Sequence, residues 1–265
     1  MLRDITVGQY YPGNSILHRL DPRTKLIGTF LFIIVIFMVK TSPQYLLLGL
    51  FVLLNVFLSK VPLRFIIRGL RSIVFILMFA FAINLFFTPG TPIFRLWRIR
   101  ITHEGLRLAF TMMMRLVLLI MGTSLMTLTS SPIQLTDGIE RLFSPLKRVG
   151  FPAHEVAMMM SIALRFIPTL LEETDKIMKA QMARGADFES GRLLQRARAL
   201  VPLLVPLFIA SFKRADDLAN AMEARCYRGG RGRTRLHELR YSSRDFLAFL
   251  TLAFLTAGVY VLGII

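Results

Sequence analysis

Apolar residues along this chain fall into two patterns, uninterrupted runs and three-four stripes. Four runs carry no charge at all: Leu26–Val39, Thr41–Ser59, Ser72–Phe94 and Phe246–Ile265. A fifth, from Arg107 to Leu128, is broken only by Arg115. A helix needs roughly 20 mostly apolar residues to cross a bilayer, so these runs predict five spans. Leu26–Val39 is short for that task, but Lys40 can snorkel to the interface along its aliphatic stem. No small-residue cleavage site follows the first run and further spans come after it, so a removed signal peptide is not expected.

The stripes lie between the fourth and fifth spans. From Glu155 onward, Val156, Met160, Ala163, Ile167, Leu170, Thr174, Ile177 and Gln181 recur at helical spacing, opposite a wetter face of Glu172, Glu173, Asp175, Lys176 and Lys179. A second stripe, in a pattern that starts at Arg192, holds Leu204, Phe208, Ser211, Ala215, Leu218 and Met222. Neither pattern is apolar enough along its C-terminal half to lie inside a bilayer. Ala199–Phe212 is uncharged but short and carries Pro202 and Pro206, so it reads as a kinked or membrane-grazing part of the second helix. Both helices close on a small-Arg-small tripeptide, Ala183-Arg184-Gly185 and Ala224-Arg225-Cys226. Taken singly, such an arginine is a solvated cation at the negative end of a helix dipole. Gly185 can take the left-handed conformation that stops a helix, which Cys226 does less readily. The second helix is therefore expected to run on toward Gly229-Gly230.

Composition agrees with the spans. With 54% hydrophobic residues and a mean hydropathy of +0.58, the chain is too apolar for an ordinary soluble domain. Its net charge of +17 would suggest nucleic acid in a soluble protein. In a membrane protein, lysine and arginine instead gather on the cytoplasmic side. With the N-terminus inside, residues 1–25, 59–72 and 130–245 are cytoplasmic and hold 27 of the 33 basic residues. The Arg-rich outer loop at 95–107 runs against that rule. The stretch Arg228–Arg244 holds six arginines against Glu238 and precedes the last span, where anionic lipid headgroups suit it.

A search for chemistry returns no catalytic, cofactor-binding or metal-ligating set. No lysine follows a glycine, so a Walker A loop is absent, and there is no Gly-x-Ser-x-Gly or His-Glu-x-x-His. One cysteine excludes a disulfide framework, and the four histidines lack ligand-like spacing. Glu172-Glu173 and Asp216-Asp217 are adjacent pairs that point to different sides of a helix. Arg115 is expected to snorkel to the interface, with Asn84 as the alternative polar partner. Met112–Met114 and Met158–Met160 read as core filling, or as adaptable surface for exchangeable partners.

The two arginine tripeptides, each closing a long amphipathic helix in one membrane protein, resemble those of the transmembrane T component of energy-coupling factor (ECF) transporters. The Leu20-Asp21-Pro22-Arg23 stretch also resembles that family's N-terminal signature. The second tripeptide departs from the family pattern, with Cys226 where glycine stands. The resemblance implies an all-α polytopic membrane protein of about five transmembrane helices plus two long cytoplasmic coupling helices. It divides the chain into N-terminal spans (1–129), a cytoplasmic coupling module (130–240) and a C-terminal span (241–265). It implies a non-enzymatic subunit without cofactor in the cell (inner) membrane, with a cytoplasmic N-terminus. The implied partners are two ABC-type ATPases and a small membrane S component that binds a vitamin or transition metal. Ala183, Arg184, Gly185, Ala224, Arg225 and Cys226 would dock the ATPases.

Two other classes stay open on residues alone. A self-contained channel or carrier predicts paired intramembrane charges or broken helices repeated in two halves, and only Arg115 fits. A membrane-anchored nucleic-acid binder predicts aromatics interleaved with arginines over 184–244, where Tyr227 and Tyr241 stand far apart.

Overall fold

The computed structural model describes residues 10–96, 99–186, 188, 199–229 and 239–264. Its helices are α1 (Pro22–Met38), α2 (Ser42–Ser59), α3 (Leu63–Phe87), α4 (His103–Thr129), α5 (Pro132–Phe143), α6 (Ala153–Ala183), α7 (Val201–Ala224) and α8 (Ser243–Ile264). A 3-10 turn, Ser144–Val149, precedes α6. Among the described residues the fold is all-α apart from one antiparallel strand pair, β1 (Pro92–Leu96) and β2 (Ile99–Thr102). Four of the described helices, α2, α4, α6 and α8, are long and apolar enough to cross a membrane. Helix α3 adds a fifth if its two parts, bent by 56° between Leu63–Arg71 and Ile73–Phe87, count as one span. At 17 residues, α1 sits at the lower limit for spanning. Helix α6, expected from its C-terminal half to lie outside the bilayer, is the least apolar of the four.

Two compact units emerge, one including Gly8–Leu142 and Glu238–Ile265, the other Phe143–His237. In the first, α4 packs against α1, α2 and α3, and α8 packs against α1 and α2. The core is built from single faces: Leu48, Val52 and Val56 from α2, Leu118, Leu125 and Leu128 from α4, and Leu252, Leu255 and Val259 from α8. Their three-, four- and seven-residue spacing keeps each set on one side of its helix. Phe57, Phe75, Phe79, Phe246 and Phe254 remain exposed on the outside, Phe57 by 87%. An apolar surface of that kind suits acyl chains rather than water. Lipid is as apolar as leucine, so close fit has to hold the helices together. Gly122 of α4 shows this, because a Cβ there would overlap the Phe32 ring of α1.

Polar side chains fix the ends of these helices. Asp21 caps α1 by accepting from the Arg23 backbone N–H at 2.9 Å, with Pro22 in the first turn. The third span departs from the prediction at both ends. It begins at Leu63 rather than Ser72 and stops at Phe87, because Pro89 holds Thr88 extended and the chain then enters β1. Helix α4 starts at His103, earlier than Arg107, since the Thr102 hydroxyl accepts from Gly105 N–H at 3.0 Å. The described residues of the Arg-rich 95–107 stretch thus divide between the two strands and the start of α4.

The second unit is carried by α6 and α7, which pack on each other. Gln181 Nε2 donates to the Pro202 carbonyl at 3.3 Å, and Arg214 pairs with Glu173 at 3.4 Å. Rising numbers on α6 therefore meet falling numbers on α7, and the pair is antiparallel. Each helix holds one internal proline, Pro168 and Pro206. Of Ala199–Phe212, read from the sequence as a kinked or membrane-grazing part of this helix, residues 201–212 form the first half of α7. One face there leaves Val201, Leu204, Val205, Phe208, Ile209 and Phe212 exposed. Arg192, the expected start of that helix, lies outside the described residues.

Candidate functional site

Both arginine tripeptides stop their helices by the same backbone device. At the end of α6, Gly185 N–H donates to Met182 O at 3.0 Å and Ala186 N–H to Gln181 O at 3.0 Å. At the end of α7, Cys226 N–H donates to Glu223 O at 2.8 Å and Tyr227 N–H to Met222 O at 3.0 Å. These paired bonds define a Schellman motif, with Arg184 and Arg225 in equivalent cap positions at φ −90. Gly185 adopts φ +87 and Cys226 φ +56. The expectation that α7 runs on toward Gly229-Gly230 is thereby overturned. The last carbonyls of α7 need donors, and the Schellman bonds supply them even though Cys226 must enter the left-handed region.

Ala183, Arg184 and Gly185 are all exposed, as are Ala224, Arg225 and Cys226. The antiparallel packing keeps the two sets apart. Arg225 lines an open cleft of about 710 Å³ with Met158, Ser161, Ile162, Arg165 and Phe166 of α6. Arg184 lies some 20 residues further along α6, or about 30 Å at the helical rise. Neither arginine makes an ion pair with another described residue. Each guanidinium therefore offers its donors outward, beside small residues that let another backbone approach.

Other polar groups are spent internally. Arg115 was expected to snorkel or to meet Asn84. Instead it donates from Nε to the Tyr45 hydroxyl at 3.2 Å and from a terminal nitrogen to the Val39 carbonyl at 2.9 Å. Val39 caps the carboxyl end of α1 with extended backbone, so its carbonyl has no partner within that helix. Asn84 bonds to its own helix at Ala80 O.

The Leu-Asp-Pro-Arg stretch does more than begin α1. Arg23 pairs with the Asp21 carboxylate at 2.9 Å, and the Asp21 N–H donates to Asp245 of α8 at 2.8 Å. The second Asp245 oxygen accepts from Ser242 N–H and hydroxyl, at 2.8 and 2.9 Å. Asp245 thus ties the first and last described helices together at their N-terminal ends. Sequence reasoning passed over it, although Ser242-Ser243-Arg244-Asp245 has capping-box spacing. It also passed over Gln44, which accepts from Lys40 and Thr41 N–H and donates to Val259 O of α8. Among the described residues no cluster of His, Cys, Asp or Glu could hold a metal ion.

Known proteins give this arrangement a family. The family model described as "Cobalt transport protein" (CbiQ) matches residues 13–236. The energy-coupling factor transporter transmembrane protein EcfT of Thermosediminibacter oceani is 57% identical over 257 residues, covering 97% of this chain and 97% of that protein. EcfT of Ruminiclostridium cellulolyticum is 55% identical over 257 residues, 97% of this chain and 96% of that protein. EcfT of Bacillus subtilis is 49% identical over 263 residues, 99% of each. Matches of this extent, on a multi-pass all-α architecture, decide between the classes the residues left open. The chain belongs to the CbiQ family, among the transmembrane T components of energy-coupling factor transporters.

Proposed function

We propose that this subunit couples two ABC-type ATPases to a small membrane S component, which binds a vitamin or a transition metal ion. The observation that carries the reading is the pair of matched helix ends. Two exposed arginines, in the same cap geometry and about 30 Å apart, suit two separate sockets rather than one. The ATPases supply the energy, since the sequence of this chain holds no phosphate loop. ATP binding draws them together and moves α6 and α7. That movement tilts the S component so that its cargo is released inward. Residues 130–240 then form a cytoplasmic coupling module between the spans 1–129 and 241–265. The apolar first half of α7 grazes the membrane surface.

The complex sits in the cell membrane with a cytoplasmic N-terminus, on the distribution of basic residues. Retention of the ATPases on the affinity-tagged complex tests the coupling assignment. Arg184→Ala with Arg225→Ala should strip both ATPases while the spans stay folded. If that double variant keeps its ATPases and transports normally, the two arginines are surface caps and the assignment fails.

Orientation has its own test in a Cys226→Ser background. Pro89→Cys should react with a membrane-impermeant thiol reagent on intact cells, and Lys179→Cys only after lysis. Labelling of Lys179→Cys from outside would reverse the topology.

A further inference from the structure

The two helix ends share a cap, and among the described residues the one at Arg225 has a cleft beside it. Beside Arg225 lies the cleft between the first half of α6 and the end of α7, and two more arginines, Arg165 and Arg228, line it. Met158, Ile162, Leu218 and Met222 give it an apolar lining, and among the described residues no aspartate or glutamate borders it. Three guanidiniums around an apolar floor, without an acid to balance them, form a receptor for a carboxylate carried on an apolar segment. Methionines in that floor can repack around a partner's side chain. Arg184, about 30 Å away, is not part of this cleft.

We propose that the two docking ends are unequal. The cleft of Arg165, Arg225 and Arg228 receives an acidic, apolar-flanked segment of one ATPase, whereas Arg184 engages the other through the helix cap alone. This rests on the coupling reading and adds residues to it. An arginine on α6 thus serves the socket at the end of α7. Movement of the pair would then be felt by that ATPase through both helices at once.

The test uses the purified complex of tagged subunit, ATPases and S component. Arg165→Glu reverses one charge in the cleft and leaves both caps intact. It should lower ATPase content from two subunits per complex to one. Where the ATPases are distinct chains, the same one should be lost every time. Met158→Trp, which fills the floor without touching charge, should produce the same selective loss, and Arg165→Lys should retain most binding. Circular dichroism and the elution volume of the tagged subunit should match the unaltered protein in each variant.

Full ATPase content in both Arg165→Glu and Met158→Trp would overturn the cleft. Loss of both ATPases alike would also overturn it, since the proposed inequality would be gone. Retained ATPases together with lost binding to vesicles of phosphatidylglycerol, but not phosphatidylcholine, would reassign the cleft to lipid and overturn the proposal. If the Arg184→Ala, Arg225→Ala pair strips the ATPases while Arg165→Glu does nothing, the coupling reading stands and only the cleft falls.

Discussion

Arg115, in the packed membrane unit, and Arg184 with Arg225, in the α6–α7 pair, all meet carboxyl ends of helices, Arg115 by reaching from mid-α4 to the end of α1. Their situations differ in one respect. Arg115 spends its donors inside the protein, on Val39 O at the end of α1 and on the Tyr45 hydroxyl. Arg184 and Arg225 lie at the ends of their own helices, exposed, with backbone N–H groups already serving two of the last four carbonyls of each helix. The Schellman bonds make the two side chains redundant as caps. An arginine that its own fold does not need is available to another chain. The comparison therefore separates an arginine that holds the fold from two whose proposed role is to meet a partner.

Substitution can break that contrast. The largest effect should come from combining Arg184→Ala and Arg225→Ala, because two linked contacts act at high effective concentration and the second cannot compensate once both are gone. Each single substitution should cost its own contact about 2–5 kcal/mol, mainly as faster dissociation, or roughly 30- to several-thousand-fold. Arg184→Lys should recover only part of this, since an ammonium cannot reproduce the planar fork. Lys179→Ala on the exposed face of α6 should change little, as exposed charges contribute under about 1 kcal/mol. Quantified ATPase retention during washing checks the series. Equal loss from Lys179→Ala and Arg184→Ala would mean that general charge, not the caps, holds the partner.

Arg115→Ala should fail differently. It leaves the Val39 carbonyl and the Tyr45 hydroxyl without this donor, at a cost of about 1–3 kcal/mol to the membrane unit. The thermal midpoint of the purified subunit should fall, while ATPase content per folded molecule stays at two. If Arg115→Ala instead removes an ATPase without lowering the midpoint, the division between fold-holding and partner-holding arginines is wrong.

The helices behind the five apolar runs and the helix stop at Ala183-Arg184-Gly185 were legible because each rests on local sequence. Charge-free runs show where lipid is tolerated, and Ala-Arg-Gly marks a helix about to stop. What escaped was set by tertiary partners. Nothing near Arg115 in the sequence points to Val39 or Tyr45, which reach it from α1 and α2. Asp245 had a local signal in its capping-box spacing, but its bond to Asp21 joins residues 224 positions apart. The cleft depends on antiparallel packing, which brings Arg165 to Arg225, and no periodicity within either helix announces that. The strand pair was hidden by its apolar flank, since Thr91-Pro92-Ile93-Phe94 reads equally well as the end of a span. Cys226 misled for a different reason. Its weak intrinsic preference for the left-handed region was outweighed by two backbone hydrogen bonds.

That last point gives the smallest effect and the finest test of how alike the two caps are. A Cβ on Gly185 would meet nothing within 4 Å, so Gly185→Ala pays only for left-handed backbone at φ +87. That strain is about 1–2 kcal/mol, partly offset by the reduced freedom of alanine in the unfolded chain. Cys226→Gly runs the other way, relieving strain at φ +56 while gaining unfolded freedom, so the net should be under about 1 kcal/mol. Amide hydrogen exchange reads both directly, at Ala186 N–H for the first cap and Tyr227 N–H for the second. Gly185→Ala should speed exchange at Ala186 several-fold, and Cys226→Gly should slow it at Tyr227 by a smaller factor. Cys226→Ser keeps a Cβ and should change neither. Faster exchange at Tyr227 in Cys226→Gly would mean that the thiol side chain itself holds the end of α7, and the two caps would no longer be the same device.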